Sequence, residues 1–360
     1  MISIISFLIV IAICVISHEG GHFIAAVWRN VLVHEFSFGM GPEICCKKRG
    51  ETLWSFRAYP IGGYVKLDGE DEEGDDEPKP AGYDPSRALN NKKPWERLVI
   101  IAAGASVNLL LAWLLTAAYL CGYGIFDLDR PVIGTVMEGT PAITAGLRSG
   151  DELVSINGIR LHKWSDIRSN IHDKQTAGDK FTIVVNRGGV ESSLNAVIPV
   201  DKKEGGRLLG VQPALVRYPA GRALSQGLVY SWEGSVMLIK SLWLMITGQL
   251  KADVAGPVGI AVMAGDAFKQ GFWTFIAFLG MMNLNLGLLN LLPFPALDGG
   301  RIFFILIEII TRHKVPERWE SKIHYGGMIA LITLILLVTG KDIMRLAASQ
   351  HLLEALQRLF

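Results

Sequence analysis

Charge is what this 360-residue chain is short of. Asp, Glu, Lys and Arg make up 19% of it, below the quarter usual in a globular chain, and 35 basic against 34 acidic residues leave a net charge of +1. That balance lacks the basic footprint of a nucleic-acid binder, so no nucleic acid is expected as a partner. Cysteine is scarce as well. Of the four, Cys14 and Cys121 lie in apolar segments and Cys45 and Cys46 are adjacent, which argues against a disulfide framework and against a thiolate metal site. Any bound metal must therefore use nitrogen and oxygen ligands. Apolar residues are abundant: half the chain is hydrophobic and the mean hydropathy is +0.33, as expected of a membrane protein with a soluble portion.

Four apolar segments can cross a bilayer, whose ~30 Å hydrocarbon core takes about 20 helical residues. They run from Met1 to Val27, Leu98 to Gly122, Phe272 to about Leu292, and Tyr325 to Thr339. The first has neither the short apolar core nor the small-residue cleavage site of a removable signal peptide. A polar stretch with an acidic run, Asp68 to Glu77, and a Pro-rich linker through Lys79, Pro80 and Pro85 separate the first two. Residues Pro131 to about Pro199 read as a small soluble domain. Its strands are Val132 to Val136, Leu153 to Ile156, Phe181 to Val185 and Ser192 to Ile198, and its helix is Trp164 to Lys174.

His18, Glu19 and His22 form HEGGH inside the first apolar segment, and Ile2 to Ser17 before it hold no charge. On a helix the two histidines share a face, so both imidazoles can reach one metal ion while Glu19 acts on a water. Ionisable residues inside a span are costly, which favours a functional reading. A third ligand is offered by Asp298 in the run NLLPFPALDGG, where Pro293, Pro295, Gly299 and Gly300 break the span. Its competing role is to cap the helix that begins near Arg301. Asn290 is the candidate to hold a substrate carbonyl, while Asn283 and Asn285 suit contacts between helices. For Asp298 to meet the histidines, the first and third spans must run the same way. Gln226 to Gly248, which contains Glu233 and Lys240, is therefore expected as an amphipathic helix at or above the interface, with Trp232, Met237, Trp243 and Met245 supplying its apolar contacts.

The segment from Gly139 to Leu161 resembles a bacterial PDZ domain, a module that binds an extended peptide by strand addition. With HEGGH in the first span and NLLPFPALDGG in the third, the whole chain resembles the site-2 protease family of intramembrane zinc metalloproteases, in the bacterial branch that includes the regulator of sigma-E protease. YPIGGYVKLDGE (Tyr59 to Glu70) resembles that family's membrane re-entrant β-hairpin, KKPWERLVIIAAGASVN (Lys92 to Asn108) the start of its second span, and GPVGI (Gly256 to Ile260) a segment before its third. The resemblance implies that His18, His22 and Asp298 bind Zn2+, that Glu19 is catalytic and that Asn290 positions substrate. Tyr59, Gly62, Gly63 and Tyr64 of the hairpin then either pair with substrate or seal the cavity, with Trp54 and Phe56 as interfacial anchors. Three departures stand out: one PDZ domain instead of two, Gly20 in place of a bulkier residue, and Arg301 where many members have histidine.

The expected fold is a polytopic α-helical membrane protein with four transmembrane helices, a re-entrant β-hairpin and an inserted α+β PDZ domain. Its parts are 1–28 (first span with HEGGH), 29–97 (hairpin and acidic linker), 98–124 (second span) and 131–200 (PDZ). They continue with 201–271 (amphipathic helix and connection), 272–311 (broken third span), 323–342 (fourth span) and 343–360 (amphipathic tail). The expected reaction is peptide hydrolysis within the spans of single-span membrane proteins already trimmed by another protease, such as anti-sigma factors, and of remnant signal peptides. The expected partners are those substrates, a peptide on the PDZ domain, and the lipid bilayer. Arg312, Lys314, Arg318 and Lys322 form a short basic loop, which places the zinc near the cytoplasmic face of an inner membrane and the PDZ domain outside, as a gate. The alternative is a membrane scaffold or chaperone that binds peptides and cleaves nothing.

Overall fold

A computed structural model of the chain describes residues 2–70, 79, 82–172, 179–200, 207–250 and 254–357. Most of the acidic run lies outside these residues. The chain divides into two compact units, Met1–Tyr119 with Leu224–Phe360, and Leu120–Ala223.

The first unit is helical around one sheet. Its helices α1 (Ile2–Trp28), α2 (Pro94–Gly122), α5 (Ala220–Ile246), α6 (Pro257–Lys269), α7 (Phe272–Leu291), α8 (Asp298–Thr311) and α9 (Glu317–Gln357) include four long and apolar enough to cross a membrane, namely α1, α2, α7 and the stretch Arg318–Ala348 of α9. Large apolar side chains such as Ile4, Ile24, Leu336 and Leu337 point outward. In lipid that costs nothing, because exposed aliphatic side chains meet acyl chains. The inward contacts are made by small residues. Gly21 faces Ala103 and Gly104, Gly280 faces Leu115 and Ala112, and Gly287 faces Ala105 and Leu109, so α2 runs antiparallel to both α1 and α7. Val10 and Cys14 of α1 share a core with Phe275, Phe278 and Leu279 of α7, while Ser17 meets Asn283 further along both, so those two run in parallel.

Helix α5 is not among the four helices long and apolar enough to cross a membrane, and its Trp232, Met237 and Trp243 are each more than 60% exposed. Its contacts come instead from glycines: Gly227 faces Ala117 of α2 and Gly234 faces Leu284 in the middle of α7, while the Trp113 ring N–H donates to the Leu224 carbonyl at 2.8 Å. Helix α5 therefore lies along two spans. Helix α9 departs from expectation, continuing to Gln357 without a separate tail.

Strands β1 (Val33–Arg49) and β2 (Thr52–Leu67) fold back on themselves. Residues 45–49 pair with 52–56, and 33–38 lie between 53–56 and 63–67, so one hairpin makes four strips with 63–67 at an edge. Gly39, Gly41 and Gly62 take left-handed φ values of 88°, 85° and 84° at the folds. The base of the sheet packs on the ends of α1 and α2 through Val33, Phe36, Val65 and Ile100. Trp54 joins this cluster against Phe23 and Phe36 and is a packing residue rather than a free anchor, whereas Phe56 stays exposed.

The second unit has a core of its own around Leu153, Ile156, Phe181, Ile183 and Ile198. Its main sheet has the order β6 (Ile159–Arg160), β5 (Glu152–Ile156), β7 (Lys180–Arg187), β8 (Val190–Val197), flanked by α3 (Pro141–Thr144) and α4 (Trp164–His172). The expected limits of 131–200 are too narrow. Strand β4 (Ile133–Val136) pairs with β9 (Val211–Pro213), and β3 (Ile125–Phe126) with β10 (Leu215–Val216), so the closing strands lie beyond both limits. Asp151, its side chain 1% exposed, accepts two bonds from Arg187, at 2.7 and 2.8 Å, and one from the Arg148 N–H.

Candidate metal centre

Three ligand atoms converge from opposite ends of the sequence. Nε2 of His18 and Nε2 of His22 are 3.2 Å apart, and Oδ2 of Asp298 lies 3.2 Å from the first and 3.4 Å from the second. Among the described residues this is the one cluster of histidine, cysteine and carboxylate groups spaced to hold a metal ion. The helix places the histidines four residues apart on one face. The break after α7 brings Asp298 to them, as the first residue of α8. Its carboxylate faces the imidazoles, and the N-cap of α8 is Leu297, which makes no side-chain cap bond.

The protonation pattern fits a metal. His22 Nδ1 lies 2.9 Å from the Ile100 carbonyl and must donate to it, which leaves Nε2 with a lone pair. That lone pair points at the Nε2 of His18 and at a carboxylate oxygen. Oδ2 of Asp298 is buried and has no hydrogen-bond donor. Two imidazole nitrogens and one carboxylate oxygen at this spacing are a donor set that suits zinc.

Backbone contacts hold the arrangement. A Cβ on Gly104 would collide with Nε2 of His22, and one on Gly21 would lie 2.5 Å from the Ala103 carbonyl oxygen, so these glycines let α1 and α2 touch at the HEGGH turn. Gly20 has open space around it, so the close packing of the motif belongs to Gly21. Before Asp298 the chain passes through Ala296 at φ 74°, a left-handed conformation costly for a residue with a Cβ. The Ala296 N–H donates to Nδ1 of His324 at 3.0 Å, which secures that turn from α9. Ile100, Gly104 and His324 were not among the expected site residues. A carbonyl and a hydrogen leave no chemical signature in a sequence, and His324 stands just before an apolar span.

Glu19 lies on the HEGGH turn, and a Cβ on Gly63 would be 3.6 Å from its Cγ, so the edge segment 63–67 passes against the glutamate. The other hairpin candidates separate. Tyr64 gives its hydroxyl to Glu35 at 2.8 Å, where Arg57 and Ser55 also bond. The Tyr59 ring lies over Gly41, and Gly62 shapes a fold beside Met40. Asn290 is buried on the same face of α7 as Gly287 and Asn283. Asn283 belongs to a buried polar cluster in which the Ser17 hydroxyl lies 2.6 Å from Oδ1 of Asn108 and 3.3 Å from Oδ1 of Asn283, tying α1 to α2 and α7 one residue before His18.

Known proteins share this layout over nearly the whole chain. A protein of Clostridium acetobutylicum is 35% identical over 337 residues, covering 92% of this chain and 94% of its own. The zinc metalloprotease RasP of Geobacillus kaustophilus is 30% identical, covering 95% and 98%. The regulator of sigma-W protease RasP of Bacillus subtilis is 27% identical, covering 96% and 99%. The solved PDZ domain of an SdrC-like protein from Listeria monocytogenes is 25% identical and covers 23% of this chain and 85% of that one, with a TM-score of 0.20. The model of peptidase family M50 matches residues 6–334, which include both histidines, Glu19 and Asp298, and the chain therefore belongs to peptidase family M50, the site-2 protease family.

Proposed function

We propose that this zinc metalloprotease of the inner membrane hydrolyses peptide bonds inside the transmembrane segments of single-span proteins, with His18, His22 and Asp298 as zinc ligands and Glu19 as the base. The observation that carries this reading is the convergence of two Nε2 atoms and one carboxylate oxygen on helices apolar enough to span a bilayer. Zinc held there supplies an activated water and a polarised scissile carbonyl. The protein does the rest. Ile100 keeps His22 in the tautomer whose Nε2 can ligate. Glu19 takes the proton from the attacking water and returns it to the leaving amide nitrogen as the C–N bond breaks. Asn290 holds a substrate carbonyl.

A helical substrate keeps its amides in its own hydrogen bonds, so its span must unwind before cleavage. The edge segment 63–67, passing Glu19 and paired on one side only among the described residues, can receive an unwound segment as a further strand. We read the hairpin as dipping into the bilayer for this purpose. The basic loop at Arg312 to Lys322 sets the zinc near the cytoplasm and the PDZ domain outside. Cysteines placed at Ser192 and Ser321, in a chain without native cysteines, then label from opposite faces with an impermeant reagent, and same-side labelling overturns the assignment.

Zinc content and cleavage of a model single-span substrate by the detergent-purified protein test the reading. One zinc per chain with cleavage is expected, and Asp298→Asn loses zinc because a neutral amide replaces an anionic ligand. Zinc with no cleavage would leave a membrane scaffold. Unit two contains none of the proposed ligands, and its proposed role is selection of trimmed substrates. Replacing residues 124–216 by a flexible linker therefore retains zinc and increases cleavage of untrimmed substrates, while loss of cleavage of short ones would make it a delivery module.

A further inference from the structure

Arg301 lies three residues after Asp298, one turn along α8 on the same side of the helix. Its guanidinium forms an ion pair with Oε1 of Glu70, 231 positions away in the sequence. The other oxygen of Glu70 accepts from the Leu67 N–H at 3.4 Å, closing the end of the edge segment 63–67. That segment pairs along 33–38 and packs through Val65 and Leu67 against α1 and α2, and Gly63 rests against Val15 and Glu19 of α1. Glu70 adds a tie to the first turn of the helix that carries Asp298.

We propose that Arg301 and Glu70 are a positioning pair that fixes the substrate-pairing strand against the metal centre and so selects which peptide bond is cut. The inference rests on the protease reading above and adds a specificity determinant to it. A strand bound to an edge can slip along it, and each step moves the scissile carbonyl by about 3.3 Å and turns alternate side chains to the other face. Packing of Val65 and Leu67 fixes the strand to α1 and α2, the side that carries the histidines and Glu19. The Glu70 pair links it to α8, the side that carries Asp298. A second ion pair on the same helix, Arg97 with Glu308, joins α2 to α8 without touching the strand and serves as the control.

The experiment measures kcat, KM, cut position by mass spectrometry and zinc content for the wild type, Arg301→Glu, Glu70→Arg, the double swap, Arg301→Lys and Arg97→Gln, on one model single-span substrate. The single reversals are expected to keep zinc, to raise KM about fivefold, the worth of one part-exposed ion pair, and to spread cleavage to neighbouring bonds. The double swap and Arg301→Lys restore a single cut, and Arg97→Gln keeps it. A single unshifted cut with wild-type KM in both reversals, or a double swap that stays as dispersed as its parents, overturns the clamp alone. A wild type that holds zinc and cuts nothing overturns the protease reading and the clamp with it. Should a reversal fail to fold, Arg301→Lys and Arg301→Gln decide the matter, since only Lys keeps the pair: equal cut patterns in the two overturn the clamp.

Discussion

The open turns of unit two and the helices of unit one use glycine in opposite ways. In unit two, Gly139, Gly146, Gly150, Gly158, Gly188 and Gly189 all sit in turns at positive φ with open space around them. In the helices of unit one, Gly21, Gly104 and Gly287 face a neighbouring helix at distances that no Cβ tolerates. The turns of unit two need glycine for backbone conformation, and the cohesion of that unit comes from a buried apolar core. The membrane unit has no such drive between helices. Its cohesion comes from close packing, and the candidate metal centre sits where α1 and α2 touch through Gly21 and Gly104.

Substitutions that trade a hydrogen for a methyl break this comparison most sharply. Gly104→Ala pushes into Nε2 of His22, and displacement of a ligand or reacting group by about 1 Å costs about 100-fold in rate. Zinc stoichiometry and cleavage are both expected to fall in that variant, and in Gly21→Ala. Retention of both would remove the packing account of the centre.

In unit two the sensitive element is an ion pair. Arg187→Ala leaves the buried Asp151 carboxylate without its guanidinium, a loss of about 2 kcal/mol once the partial exposure of Arg187 is allowed for. Hydrogen exchange of the full-length protein should show faster opening confined to residues 120–223, with zinc content unchanged. The Arg187 guanidinium beside Asp151 holds that carboxyl below its usual range. Its contribution to stability is therefore complete above about pH 4, the unfolded value, and lost as pH falls toward the folded one. Acidification from pH 5 should loosen unit two, and Arg187→Ala should flatten that dependence.

Smaller effects sharpen the contrast. Ala296→Gly relieves a left-handed conformation worth about 1 kcal/mol and raises unfolded-chain entropy by nearly as much, so stability and cleavage stay close to wild type. Gly20→Ala, in open space on α1, should stabilise by up to about 1 kcal/mol and leave zinc in place. If Gly20→Ala behaves like Gly21→Ala, the two positions of the motif are not distinguished by packing.

What could be read in the sequence was what carries a pattern. Apolar length marked the spans, HEGGH and LDGG marked the side chains that converge as candidate ligands, and alternation marked the longer strands of unit two. Strands β3, β6, β9 and β10 are three residues or fewer, too short for any period to show, so the unit was drawn too narrow. The seating of helix α5 on α2 and α7 was not legible, because Gly227 and Gly234 make those contacts while its large side chains face outward. The folding of β1 and β2 into four strips left only glycines as a sign. The supports of the metal centre, the Ile100 carbonyl and the absent side chain of Gly104, are backbone features that any sequence of similar residues would contain.

The most direct test of the metal centre is zinc content and substrate cleavage measured together in Glu19→Gln. The amide keeps the size of the glutamate and cannot take a proton, so the variant is expected to bind zinc as the wild type does and to lose at least about 100-fold in cleavage rate. Cleavage near the wild-type rate with zinc bound would contradict the assignment of Glu19 as the base and with it the proposed mechanism.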